Sequence, residues 1–120
     1  MLSLRAESLR HRADFLRVQS QGERFRGQKV TLLLAANDRI DSARLGLTIS
    51  RKVGCAVVRN RIRRQLREAC RRADGAFVRG FDYVIIASPQ SAGCAYVALA
   101  DELTSLLKRS RAWALRKKSC

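Results

Sequence analysis

Between Arg51 and Arg72 the run RKVGCAVVRNRIRRQLREACRR carries nine basic side chains and a single acid, Glu68. Val58, Ile62, Leu66 and Ala69 of the same run, with Ala73 just after it, fall at 100° per residue within an arc of ~80° on a helical wheel. Both patterns fit a helix docked on a core by that arc, with Arg61, Arg63, Arg64, Arg67, Arg71 and Arg72 on most of the opposite half. A solvated helix intersperses Glu with Arg at i, i+4 for mutual support, whereas Arg59, Arg63, Arg67 and Arg71 form a column of like charge. That column is unfavourable unless an anion neutralises it. The segment therefore reads as a nucleic-acid-binding face, and the alternative of a merely solvated helix fits poorly.

The rest of the composition points the same way. The 120 residues include 25 Lys and Arg against 10 Asp and Glu, a net charge of +15, of which a surplus of eight lies in this one stretch. Such a charge opposes compaction by self-repulsion and suits a polyanion whose counterions are released on binding. Of the basic residues 20 are Arg and 5 Lys, and Arg forks onto phosphate and stacks on bases where Lys is a point charge. Codon bias in a GC-rich genome accounts for that ratio equally well, but not for the net charge. A hydrophobic share of 47% supports one modest core and a single domain over residues 1–120, with 1–7 and 112–120 expected to be mobile ends.

The longest apolar runs, Val30–Ala36 and Tyr83–Ala87, fall far short of the ~18 residues of a membrane span, so no membrane partner is expected. Cysteines stand at 55, 70, 94 and 120 without a C-x-x-C, and His11 is the only histidine, which argues against a structural zinc site. Arg5, Glu7, Arg10, His11 and Arg12 interrupt every apolar stretch of the first twenty residues. That disfavours a secretory signal, and reduced thiols in the cytoplasm are expected. A transit peptide over residues 1–20 is the competing reading, opposed by Glu7 and Asp14.

In chain order, Leu9, Ala13 and Leu16 at helical spacing predict an amphipathic helix over 8–21, stopped by Gly22. Phe15 lies about 100–120° from that stripe. It either widens the core face or borders a groove. The run 29–36 and the alternation of Leu45, Leu47 and Ile49 with Gly46, Thr48 and Ser50 predict two strands joined as a hairpin, with Asn37-Asp38 and Asp41-Ser42 as turn residues. Residues 81–87 (FDYVIIA), ended by Pro89, predict a strand buried on both sides. Tyr96, Leu99, Leu103, Leu106 and Leu107 predict a last helix over 95–109, which 112–120 either extend or leave frayed. Gly54, where strand meets basic helix, implies a backbone angle or close approach that a side chain would block. Backbone N–H groups near Val58–Arg61 would then offer an anion site beside Arg59 and Arg61.

The string Ser50-Arg51-Lys52, then Gly54, Ala56-Val57, Arg59-Asn60-Arg61, Arg63-Arg64, Arg67 and Glu68 closely resembles the signature of the bacterial ribonuclease P protein component. Ala13-Asp14-Phe15, Arg44-Leu45-Gly46-Leu47 and Asp82-Tyr83-Val84-Ile85-Ile86-Ala87 resemble that family in order and spacing, so about residues 8–110 are covered. The resemblance implies an α+β fold, a two-layer α/β sandwich similar to the second domain of ribosomal protein S5. It would have about four strands in a mixed sheet, three helices and a left-handed βαβ crossover holding the Arg-Asn-Arg helix.

In that family the protein assists a catalytic RNA that removes the 5′ leader of precursor tRNA, an endonucleolytic hydrolysis dependent on Mg²⁺ held mainly by the RNA. The implied partners are therefore that RNA, with one protein per RNA, and precursor tRNA with its leader. No metal or other cofactor would be held tightly by the protein. By the same resemblance Arg51, Lys52, Arg59, Asn60, Arg61, Arg63, Arg64, Arg67 and Arg71 would meet the catalytic RNA. A cleft with Phe15 as stacking platform, together with Arg12, Gln19, Leu33 and Thr48, would hold the single-stranded leader. Three positions depart from the family pattern: Cys55 stands where Asn is most common, and Gln19 and Leu33 where aromatics are expected. Leader affinity would then lean on charge and on Phe15.

No catalytic residue is expected in the polypeptide itself. One histidine cannot form an acid–base pair of histidines, and the ten acids are scattered rather than clustered as two-metal hydrolysis requires. No phosphate loop, Ser-His-Asp set or Cys-His pair stands out. A structural ribosomal protein is the alternative from another class, and a nonspecific DNA-compacting protein a third.

Overall fold

The computed structural model describes the backbone of residues 6–37 and 42–119, and the side chains of 8–37 and 42–117. Five strands form one sheet: β1 (Ala6–Ser8), β2 (Glu23–Arg26), β3 (Val30–Ala36), β4 (Ala43–Ile49) and β5 (Phe81–Ala87), in the order β1-β4-β5-β3-β2. Three helices accompany it: α1 (Arg12–Gln21), α2 (Ala56–Arg72) and α3 (Tyr96–Ser119). The α+β sandwich is as expected, with the three-residue β1 added to a four-stranded mixed sheet.

Strand alternation divides the interior in two. Val30, Leu32, Leu34, Leu45, Tyr83 and Ile85 face α2 and α3, meeting Ile62, Leu66, Leu99, Leu103, Leu106 and Leu107 in the larger core. Leu33, Ala35 and Val84 face the other way, against Val18 and Phe15 of α1 and against Leu9. The sheet thus separates α1 from α2 and α3.

The expected β3–β4 hairpin does not form. β5 lies between the two, antiparallel to β3 and parallel to β4. The reason is visible in the residues: six of the seven residues of FDYVIIA are buried, on both faces, so the central position suits it. β4 reaches its parallel neighbour β5 through the crossover that contains α2. Of the expected turn residues, Asp38 and Asp41 lie outside the described residues.

The Leu9–Ala13–Leu16 stripe is also corrected. The helix starts at Arg12, with His11 at the N-cap position and its carbonyl accepting the Asp14 N–H at 3.0 Å, while Leu9 lies before it and its N–H donates to the Leu45 carbonyl at 2.8 Å. A helical phase counted from Leu9 therefore does not apply; Val18 is buried and Leu16 is 50% exposed. Gly22 does end the helix: its backbone turns extended at φ −78°, ψ 157° while its N–H still bonds the Val18 carbonyl, and a Cβ there would run into that oxygen.

Neither expected mobile end is featureless where it is described. Ala6–Ser8 pair in parallel with Ala43–Leu45, and α3 continues to Ser119. Buried Ala114 and the edge-on contacts of Trp113 with Phe25 and Phe81 explain that extension. On the far side of the sheet, Glu102 of α3 accepts the N–H groups of Lys29 at 2.7 Å, Val30 at 2.8 Å and Gln28 at 3.2 Å. That carboxylate fixes the β2–β3 turn, and Gly27 leaves it room, since a Cβ there would meet it at 2.5 Å.

Candidate nucleic-acid interface

The basic surface begins where β4 ends. Residues Arg51–Val53 make one 3₁₀ turn, and Gly54 then takes φ +156°, where its added Cβ would crowd Val58 at 3.1 Å. The Gly54 carbonyl accepts a hydrogen bond from Arg59 Nε at 3.2 Å, which ties the turn to the helix it introduces. Cys55 is the N-cap, and the Arg59 N–H already bonds the Cys55 carbonyl at 2.9 Å. The N–H groups left without a backbone partner at this helix start are therefore those of Ala56, Val57 and Val58, two to three residues earlier than expected, and those of Val57 and Val58 turn toward the Cys55 thiol.

Along α2, Ile62, Leu66, Ala69 and Cys70 are buried and the arginines flank or oppose them. The expected like-charge column is relieved at two places. Arg63 donates to Asn60 Oδ1 at 2.8 Å. Glu68 pairs with Arg71 at 2.6 Å and with Arg72 at 2.8 Å, and those two guanidiniums, Arg72 first, hold its carboxyl below the usual carboxylate range. Arg51, Lys52, Arg61, Arg64 and Arg67 are exposed and make no ion pair among the described residues. They are the cations left available to an anionic partner.

On the other face of the sheet, Arg12, Phe15, Leu16, Gln19 and Thr48 line a cleft of about 380 Å³. Its geometry rests on a glycine: a Cβ at Gly46 would stand 2.4 Å from Phe15 Cε1 and Cζ, so the ring settles into a notch that only glycine leaves. Arg12, Phe15, Gln19 and Thr48 are brought together as expected. Leu33 is not, because it is 0% exposed beneath α1, packed with Val18 and Val84. Its position in β3 places it under the middle of the helix rather than at the open end. There, Thr31, Ile86 and Thr48 form one cross-strand row, and Arg26 stands opposite Thr31 on the same face.

A buried ionic cluster fixes α1 over this sheet face. Asp82 of β5 is 0% exposed and receives Arg44 bidentately, Nε at 2.8 Å and Nη2 at 2.6 Å, with Asn37 Nδ2 at 2.9 Å and Arg17 of α1 on the same carboxylate. Arg17 also donates to the Ala36 carbonyl at 2.9 Å, and Arg44 approaches Asp14 of α1 at 3.5 Å. Burial pushes the Asp82 carboxyl up, but the hydrogen bonds from Arg44 and Asn37 and the charges of Arg44 and Arg17 outweigh it and hold it below the usual range. Sequence reading missed this cluster. Its signal was a lone acid inside an apolar strand, which is stable only with partners.

The sequence model of the ribonuclease P family matches residues 4–111. The chain belongs to the ribonuclease P protein family. It is similar to the ribonuclease P protein component of Gluconacetobacter diazotrophicus, 39% identical over 107 residues that cover 88% of this chain and 92% of that protein. It is likewise similar to that of Synechocystis sp., 37% identical over 103 residues covering 85% and 83%. Among solved structures, the ribonuclease P protein of Thermotoga maritima superposes with a TM-score of 0.77 at 34% identity, covering 86% of this chain and 96% of that one. The Staphylococcus aureus protein superposes with a TM-score of 0.79 at 28% identity, covering 88% and 95%. These matches account for the strand order and for α2 as a crossover helix, and they agree with the resemblance carried by the Arg-Asn-Arg run. Among the described residues, no helix is long and apolar enough to cross a membrane.

Proposed function

We propose that this chain is the protein subunit of ribonuclease P, binding the catalytic RNA through α2 and the turn before it, and the 5′ leader of precursor tRNA through the Phe15 cleft. The observation that carries this reading is β4 itself. Thr48 lies in the cleft and Arg51 and Lys52, three and four residues later, begin the basic surface. One rigid strand therefore sets the distance between a single-stranded ligand and the RNA that acts on it.

The chemistry of each surface follows from its residues. Arg51, Lys52, Arg61, Arg64 and Arg67 neutralise phosphates of the catalytic RNA and release counterions, giving a steep salt dependence. Arg59 and Arg63 are held in place by Gly54 and Asn60 and present orientated guanidiniums, while Arg71 shares its charge with Glu68. In the cleft, Phe15 stacks on a leader base and Arg12 meets its phosphate, with Gln19 and Thr48 as polar neighbours. Hydrolysis of the precursor, which leaves the mature tRNA 5′ end, belongs to the RNA and its Mg²⁺ ions. The most deeply buried carboxylate among the described residues, Asp82, is occupied by guanidinium groups and is not disposed to hold a metal. The polypeptide thus acts by neutralising charge and positioning substrate, one protein per RNA, in the cytoplasm. Reconstitution with a bacterial catalytic RNA tests this: the protein should lower the Mg²⁺ requirement and favour precursor over mature tRNA. Failure of both, with co-sedimentation on ribosomal subunits instead, would overturn it.

A further inference from the structure

The groove between α2 and α3 lies on the sheet face opposite the Phe15 cleft and is used by neither contact above. Ala69 and Ala73 of α2 and Val97 and Ala100 of α3 give it an apolar floor around about 290 Å³, to which Asp101 and Thr104 add polar groups. A second depression of about 370 Å³ is lined by Arg61, Arg64, Gln65 and Glu68, and Arg72 and Tyr96 line both. Val97 is 66% exposed, and the Tyr96 hydroxyl is buried with no hydrogen-bond partner. A buried phenol O–H without an acceptor is unfavourable and rare, and an acceptor reaching into the groove would relieve it.

We propose that this groove is a nucleotide subsite that seats one unstacked base of the catalytic RNA. The proposal rests on the reading that α2 binds that RNA. An aromatic edge, an apolar floor and guanidiniums beside them are what a splayed-out nucleotide requires: the base packs on Tyr96 and Val97, and the flanking phosphates meet Arg61, Arg64 and Arg72. Glu68 sits among these cations, but its oxygens are bonded to Arg71 and Arg72, so it orients Arg72 rather than repelling the ligand. Asp101 only accepts hydrogen bonds, and it favours a base edge rich in donors, guanine above the others. The source is the catalytic RNA because Arg61 and Arg64 belong to its binding helix, while the leader lies across the sheet.

Photocrosslinking of the assembled complex tests the assignment. The full chain with Val97→p-benzoylphenylalanine should crosslink to an unpaired nucleotide of the catalytic RNA, with or without precursor tRNA. A probe at Leu115, also exposed on α3, should not. Crosslinking from an Asn60 probe but none from Val97, or a Val97 crosslink to tRNA or to a paired stretch, would overturn the subsite and leave the α2 reading standing. No crosslink from either probe would overturn both. Two conservative variants supply an independent readout. Tyr96→Phe should weaken catalytic-RNA binding about threefold while keeping or raising thermal stability, since it removes only the unpartnered hydroxyl. Arg72→Gln should weaken it about fivefold and flatten its salt dependence by less than one charge, since Glu68 already meets part of that charge. Wild-type affinity in both would contradict the proposal.

Discussion

Gly46 and Asp82 show how much of the cleft is decided by single residues. Gly46→Ala would drive a methyl group into the Phe15 ring, so it should lower stability by about 1–3 kcal/mol and weaken discrimination by leader while catalytic-RNA affinity is retained; denaturant titration and parallel binding assays check both. Asp82→Asn takes from Arg44 and Arg17 their most buried anion and leaves Arg44 the longer Asp14 contact, at a cost on the order of 3 kcal/mol. The folded Asp82 carboxyl titrates below its unfolded value, so its contribution is complete above about pH 4 and is lost as pH falls through the folded pKa. Between neutral pH and pH 2 the Asn variant should therefore lose less of its remaining stability than the wild type, which acid melts would show. Cys55 and Cys70 should also separate cleanly. The N–H groups of Val58 and Val57 and the Arg59 charge lower the exposed Cys55 thiol, whereas burial pushes Cys70 up to about 12. Iodoacetamide at neutral pH should label Cys55 and leave Cys70 unmodified until the chain unfolds, as peptide mapping would establish. The Gly46, Asp82 and Cys70 environments could not be read from the sequence, because each depends on neighbours distant in the chain, whereas that of Cys55 is local.

At the scale of elements, α2 was the most legible part, since its apolar arc and its arginines repeat with one local period. Buried Ile62, Leu66 and Ala69 follow that arc as expected. Legibility failed where pairing is non-local. β2 (ERFR) escaped notice because three of its four residues are charged and only Phe25 turns inward, toward Trp113. The β3–β4 pairing was misjudged because adjacency in sequence favours a hairpin, while burial of both β5 faces inserts that strand between them. Leu33 was assigned to the cleft by resemblance, and its place in the strand sets it under Val18 instead. Within α2 the ion pairs yield a graded expectation. Arg61→Ala or Arg67→Ala should each lower the slope of log affinity against log salt by about one unit, as a lost phosphate contact does. Arg71→Ala, whose charge Glu68 already meets, should lower it less; salt titrations of catalytic-RNA binding would rank the three.

The whole molecule is a sheet that keeps the basic face of α2 and the Phe15 cleft apart and in fixed register. The net charge of +15 announced a polyanion, and on the proposed function the fold divides the work: arginines of α2 without an ion pair would meet the catalytic RNA, and the glycine-notched cleft under α1 would take the single-stranded leader. The Asp82 cluster and the Glu102 clamp, one on each side of the sheet, hold α1 and α3 to it and so keep that register. The central claim is that the two surfaces act separately. It is tested most directly by one ratio, the affinity of the assembled holoenzyme for precursor tRNA with a leader over tRNA without one, measured at saturating protein for wild type, Arg61→Ala and Phe15→Ala. The account predicts that Arg61→Ala, once saturated, keeps the wild-type ratio while Phe15→Ala brings it toward one. Equal loss in both variants, or no loss in Phe15→Ala, would contradict it.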